Sequence, residues 1–337
     1  MKVGILTFHD AHNYGAVLQA YALKKYIGKL GHNVRIINYH HYTIPDGFPK
    51  ENNEKRWKKF NDFIKELIDY DEEVYQSEEE LEKLDIDTWI CGSDQIWNPE
   101  ITNGINKGFF LKFKTNGKKI SYAVSMGIPE LPLEHEEEFK KSIENLDYIS
   151  VREESLKKYV EKFTDKPIMK AIDPTFLLEK EEYDDLIEQS KYSNYVLINE
   201  LGPDERLMKI AKKIAKMNNL EIIELNDKHK ENYECKQISD ASPMEYLTLI
   251  KNANAIVTNS FHGTVFSIIF EKEFYTITRL NRNSRMENIL DIVGMRDRLI
   301  QNVDEIENVK KQNYDVAHEN LKKEIEESQR FLKDVVE

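Results

Sequence analysis

A chain of 337 residues carries enough sequence for about two domains with full hydrophobic cores. Its 48 basic and 61 acidic residues give a formal charge of −13, which argues against a general nucleic-acid binder. The two cysteines, Cys91 and Cys235, lie far apart and in no metal-ligand spacing. A disulfide scaffold or thiolate metal site is therefore not expected, and a reducing cytoplasm is.

In chain order, the opening MKVGILTF reads as a strand over 3–8 rather than as a signal peptide. A helix is predicted over 15–31, closed by Gly31, and a strand over 34–39. Residues 40–53 read as a polar loop, and 54–69 as a helix with Trp57, Phe60, Phe63, Ile64, Leu67 and Ile68 on one stripe. That stripe is expected to pack on the core, with contact to a membrane surface as the lesser alternative. The acidic stretch 71–83 reads as solvated surface, and strands are predicted at 86–91, 119–125, 147–152 and 168–172. No window approaches the roughly 18 uncharged apolar residues that a membrane span needs.

Pro174 breaks regular structure, and a second set follows: strand 195–199, helix 204–218, strand 220–225, and helix 242–253 with Ser242 as cap and Pro243 first. A strand over AIVTN (255–259), a helix beginning at Thr264, a strand over 274–279 and a helix over 285–294 come next. A long charged helix over about 312–335 ends the chain. This rhythm implies an α/β protein of two Rossmann-like domains facing a cleft, split as 1–175 and 176–337.

Residues 254–270, NAIVTNSFHGTVFSIIF, carry the strongest functional signal. A strand turning sharply into a helix would place Ser260, His262 and Gly263 at the carboxyl edge of a sheet, where open α/β sheets bind ligands and helix N-termini favour anions. A histidine there binds phosphate or delivers a proton; a buried histidine satisfied by backbone is the plainer alternative.

LTFHDAHNYGAVLQAYAL, DTWICGSDQIWNP (87–99), ISYAVSMG (120–127), ISVREES (149–155), IDPTFLL (172–178) and TNSFHGTVFSIIF together resemble the polysaccharide pyruvyl transferase family. The resemblance runs in order from residue 4 to about 298. It implies a glycosyltransferase-B-like fold, with the last helix crossing back onto the first domain. It also implies transfer of the enolpyruvyl unit of phosphoenolpyruvate to a sugar of a cell-surface polysaccharide precursor, closing a pyruvate ketal. No cofactor is expected beyond phosphoenolpyruvate as co-substrate. The acceptor is a sugar or lipid-linked oligosaccharide met in the cytoplasm, at the inner face of the membrane where the acceptor is lipid-linked.

Phosphoenolpyruvate carries a phosphate and a carboxylate, so its site needs cations and N–H donors. Arg152 follows an apolar strand and is expected to project from its end, its fork suited to either anionic group; the resemblance places the VRE arginine in the donor site. His262 is expected to anchor phosphate or to protonate the methylene carbon. Arg279, Arg282 and Arg285 supply further cations, and Arg285 matches the family's arginine before the following helix. On the acceptor side stand Asn13, Tyr14 and Gly15, then Ser93, Asp94, Gln95 and Trp97. Asp94 is the candidate base, Gln95 and Trp97 are candidate sugar contacts, and Ser125 and Met126 are weaker ones; an N-cap role alone accounts for Asn13. His9, His12, His40 and His41 carry no carboxylate or cysteine at ligand spacing, so no metal is expected. Two rival functions are a nucleotide-sugar glycosyltransferase and a noncatalytic carbohydrate-binding member of the fold.

Overall fold

The structure, a computed structural model, describes residues 1–40, 54–226, 235–278 and 284–337. These residues fall into two compact units, one of 1–40, 64–178 and 323–337, the other of 54–63 and 179–322 less the undescribed residues. The helix over 54–63 thus groups with the second unit, and the end of the last helix with the first.

The first unit is a six-stranded parallel sheet of β1 (Lys2–Leu6), β2 (Asn33–Ile36), β3 (Thr88–Cys91), β4 (Lys118–Val124), β5 (Tyr148–Val151) and β6 (Ile168–Lys170), ordered β2-β1-β3-β4-β5-β6. Its first helix, α1 (Tyr14–Lys29), starts where the Asn13 side chain accepts the Gly15 and Ala16 N–H groups. The sequence that follows gives α2 (Glu54–Phe63), which groups with the second unit, and then α3 (Glu78–Leu81), α4 (Pro99–Thr102), α5 (Leu133–Glu144) and α6 (Glu154–Val160) of the first. The helices α5 and α6 were not anticipated from the sequence; their runs are rich in charge and each buries only a few side chains, such as Phe139 and Leu156.

Trp97 stacks on Phe110 at 4.7 Å, meets Phe139 edge-on, and donates its indole N–H to the Phe109 carbonyl. The 54–69 helix differs from expectation in two ways. It passes from α to π winding over Ile64–Ile68, and Trp57 is 43% exposed while Phe60, Phe63, Ile64 and Ile68 are buried. Lys59 pairs with Glu245 at 2.6 Å, tying α2 to the start of helix α9 described below.

The second unit is a five-stranded parallel sheet, β7 (Tyr195–Asn199), β8 (Glu221–Leu225), β9 (Lys236–Ile238), β10 (Ala255–Thr258) and β11 (Glu273–Thr276), ordered β11-β10-β7-β8-β9. The strand β9 is three polar-leaning residues at a sheet edge, too short and too hydrophilic to announce itself in the sequence. Around the sheet lie α7 (Lys180–Asp184), α8 (Glu205–Asn218), α9 (Pro243–Asn252), α10 (Phe261–Ile269), α11 (Ser284–Ile292) and α12 (Tyr314–Val336). Asp204 caps α8, and a reciprocal Ser242–Glu245 box with Pro243 in the first turn caps α9. Val196, Ile198, Leu207, Ile210, Val257 and Ile277 fill the core. Glu324, Ser328 and Val335, in the part of α12 that belongs to the first unit, bond Lys170, Ile172 and Lys118 of that same unit. No described helix is long and apolar enough to cross a membrane.

Candidate active site

In each sheet the strand order reverses beside the first strand, between β1 and β3 in one and between β7 and β10 in the other. Loops leaving the carboxyl ends of such neighbours diverge to opposite faces and open a crevice, the usual ligand position in open α/β sheets.

In the second unit, α10 begins at Phe261, three residues before the Thr264 start read from the sequence. Ser260 is its cap, with Oγ accepting the Gly263 N–H at 3.3 Å, so Ser260-Phe261-His262-Gly263 is the helix's first turn rather than a separate loop. A Cβ on Gly263 would lie 2.5 Å from both Asn199 Nδ2 and Thr258 Oγ1; the glycine allows the helix to seat against the ends of β7 and β10. His262 is 7% exposed, with its ring edge-on to Phe261 at 5.1 Å. The Arg285 guanidinium, in the first turn of α11, lies 5.5 Å from the Phe261 ring centroid. The α10 N-terminus, an imidazole and an arginine thus gather around one aromatic ring, an arrangement that favours an anion. Arg279 and Arg282 lie outside the described residues.

Buried polar groups that the sequence reading passed over hold this edge in place. Thr258 Oγ1 donates to the Asn199 carbonyl and accepts the Ser260 N–H, while Asn199 Nδ2 donates to Tyr246 Oη. Asn259 accepts the Leu201 N–H at 2.6 Å and donates to the Gly202 carbonyl. Their signal was present: two apolar strands, VLIN and AIVTN, each end on an asparagine.

In the first unit, Gly92-Ser93-Asp94 leaves β3 with a cis peptide between Gly92 and Ser93. Gly92 sits at φ +123, and a Cβ there would meet the Tyr122 carbonyl oxygen at 2.2 Å. Ser93 is fully buried: its N–H donates to Gln19 Oε1, its carbonyl accepts from Thr7 Oγ1, and its hydroxyl donates to the Ala123 carbonyl while accepting from Arg152. It is a framework residue, which corrects its reading as a sugar contact. Trp97 requires the same correction, since it stacks on Phe110, meets Phe139 edge-on and spends its N–H on the Phe109 carbonyl at 1% exposure.

Arg152 also departs from expectation. It is 3% exposed and pairs at 3.0 Å with Asp173, which in turn accepts from the Thr175 N–H and hydroxyl. The side chain turns into the protein instead of projecting from the strand end. Beside it, Glu153, equally buried, accepts from Ser125 Oγ at 2.5 Å. Burial drives the Tyr122 phenol, bonded to the Ile172 carbonyl, and the Cys91 thiol well above their usual ranges, so both stay protonated and inert. Met126 is core, at 1% exposure.

Asp94 stands at the sheet edge with φ +71, half-buried, its Oδ1 accepting the Gln95 N–H at 2.7 Å. Gln95 accepts from Asn98 and is also half-buried. Tyr14 is half-buried at the start of α1, Asn13 is exposed and spends its side chain on the helix cap, and Gly15 is buried inside that helix. One cluster contradicts the sequence reading of the histidines. Asp10 Oδ2 lies 3.1 Å from His40 Nε2, and His9 is close by, so a carboxylate does accompany them. Adjacent parallel strands β1 and β2 deliver residues 30 apart in sequence to one edge.

These two sheets, each with its polar edge at a reversal of strand order, define a glycosyltransferase-B-like fold. The chain is similar to UDP-GlcNAc 2-epimerase from Methanocaldococcus jannaschii in complex with UDP-GlcNAc and UDP, at TM-score 0.55 and 15% identity over 96% of this chain and 99% of that one. It is likewise similar to the Neisseria meningitidis UDP-GlcNAc 2-epimerase (TM-score 0.54, 11% identity, 99% and 94% covered). A third likeness is to AviGT4, a glycosyltransferase involved in avilamycin A biosynthesis (TM-score 0.51, 10% identity, 99% and 97% covered). At such identities the likeness is one of fold. No curated protein matches the chain. The polysaccharide pyruvyl transferase family model matches residues 13–281, and the chain belongs to that family of transferases.

Proposed function

We propose that the protein transfers the pyruvyl unit of phosphoenolpyruvate to a sugar of a cell-surface polysaccharide precursor, closing a pyruvate ketal. The observation that carries this reading is His262 in the first turn of α10, with Arg285 across the Phe261 ring, in a chain of this family. The phosphate is held at the α10 N-terminus and by Arg285, without a metal. His262 protonates the methylene carbon, leaving a cationic centre at the carbon that bears the phosphate. A sugar hydroxyl adds there as its proton passes to Asp94. Inorganic phosphate then leaves with its bridging oxygen, taking up a proton, and a second hydroxyl adds to the same carbon to close the ring, its proton returning to His262. Arg152 acts in support, holding Ser93 and Asp173 beneath the Asp94 turn. Gln95 and Tyr14 are the acceptor contacts with partly open side chains. The acceptor is a sugar or lipid-linked oligosaccharide, met in the cytoplasm or at the inner membrane face.

The test is pyruvate incorporation and phosphate release from phosphoenolpyruvate with galactose-, mannose- and N-acetylhexosamine-containing glycolipids, alongside thermal-shift titration with phosphoenolpyruvate and UDP-sugars. Stabilisation by phosphoenolpyruvate and coupled release and transfer support the reading. The rival reading is a UDP-sugar-using enzyme; stabilisation by UDP-sugars alone, with no pyruvate transferred, would establish it instead.

A further inference from the structure

We propose that His9, Asp10 and His40 hold one divalent first-row transition ion at the carboxyl edge of β1 and β2, a site independent of the donor chemistry above. One ring nitrogen from each histidine and one Asp10 oxygen lie within 4.8 Å of one another. The His40 Nε2 to Asp10 Oδ2 separation of 3.1 Å suits two ligands on one ion, since bonds of about 2.0–2.1 Å at tetrahedral angles put ligand atoms about 3.4 Å apart. The two imidazole centroids are 5.8 Å apart and steeply inclined, against about 5 Å for two imidazoles on a common tetrahedral centre. A small rotation of the more exposed His40 closes the remainder.

The surroundings point the same way. With its hydrogen on Nδ1, bonded to the Thr7 carbonyl at 3.1 Å, His9 leaves the Nε2 lone pair to an ion. A carbonyl behind the ring is the usual outer partner of a metal-bound histidine. Asn38 Oδ1, 3.1 Å from that Nε2, is a fourth donor. His9 and Asn38 are buried at 1% and 4% exposure, while the side chains of Asp10 and His40 keep 25% and 35%, so the site has a fixed floor and an open side. The backbone is pinned as well: Tyr75 accepts the His40 N–H and donates to the Asn38 carbonyl, and Ile37 donates to Ile5. Two imidazoles, a carboxylate and an amide oxygen suit Zn²⁺ and its first-row neighbours; Mg²⁺ and Ca²⁺ prefer all-oxygen shells.

The experiment uses the full chain without a histidine tag, stripped with chelator and titrated calorimetrically with Zn²⁺ and separately with Mg²⁺. Co²⁺ absorption reports the geometry. One Zn²⁺ per chain, bound at least a hundredfold more tightly than Mg²⁺, is expected. Asp10→Asn and His40→Ala, both at partly exposed positions, should each weaken it tenfold or more with unchanged circular dichroism. His318→Ala, at a histidine of the second unit that pairs with Glu271, should leave it unaltered. Absence of a one-to-one site, or a Zn²⁺ affinity that survives both the Asp10 and His40 substitutions, overturns the proposal. Phosphoenolpyruvate binding measured on the same samples reports on the donor site separately, so loss of one result does not decide the other.

Discussion

Replacing Arg152 by Met separates a structural role from a donor-binding one. The substitution keeps much of the side-chain stem but removes the 3.0 Å pair with Asp173 and the donation to Ser93. Asp173, 2% exposed, would then keep its charge without the guanidinium while still accepting from the Thr175 N–H and hydroxyl. Breaking one side of a buried pair costs about 3–5 kcal/mol, and the two surviving hydrogen bonds place this case near about 3. At a urea dependence of about 2 kcal/mol per molar, the midpoint falls by about 1.5 M. Asp173→Asn should cost a similar amount by stranding the guanidinium. The double substitution removes both charges of the pair together, so its loss should fall short of the sum by at least about 2 kcal/mol. Tryptophan fluorescence follows this unit, because Trp89 and Trp97 are buried in it while Trp57 is exposed on α2. Single-substitution losses below about 1 kcal/mol, or additive losses in the double variant, would refute the reasoning.

The His262→Gln variant keeps a hydrogen bond but no transferable proton, so turnover should fall by about 10²–10⁴ with little change in phosphoenolpyruvate affinity. Normal turnover with weak donor binding would make His262 an anchor only. For Asp94→Asn, calorimetry should show intact donor binding while transfer to the sugar slows by a comparable factor. Gly263→Ala would stabilise an open helix, but here the new Cβ meets Asn199 and Thr258, so urea melts should show a loss of about 1–3 kcal/mol. Trp97→Ala should cost about 3–5 kcal/mol of stability, and a variant that instead stayed stable and raised only the acceptor KM would restore Trp97 to the sugar site.

What the sequence determined by itself is what neighbouring residues decide. Apolar, β-branched runs such as VGIL, TWIC and AIVT became strands because their hydrophobicity suits sheets covered on both faces. The caps at Asn13 and Ser242 were legible because a cap bonds N–H groups only two or three residues ahead. The ordered motifs likewise mark the family, because each is a run of neighbouring residues. The missed start of α10 shows the limit: Gly263 looked like a turn, and only Asn199 and Thr258, on two other strands, explain a glycine inside a helix. Arg152 read as a free cation because its partner lies 21 residues away past another strand. Trp97 read as a sugar platform because Phe110 and Phe139 come to it only through packing. His9 and His40 read as histidines without a carboxylate at ligand spacing until parallel pairing of β1 with β2 brought His40 beside Asp10. Residue chemistry is local and was legible; the partner that spends a charge, buries a ring or completes a ligand set is supplied by sheet topology, which joins residues that sequence spacing keeps apart.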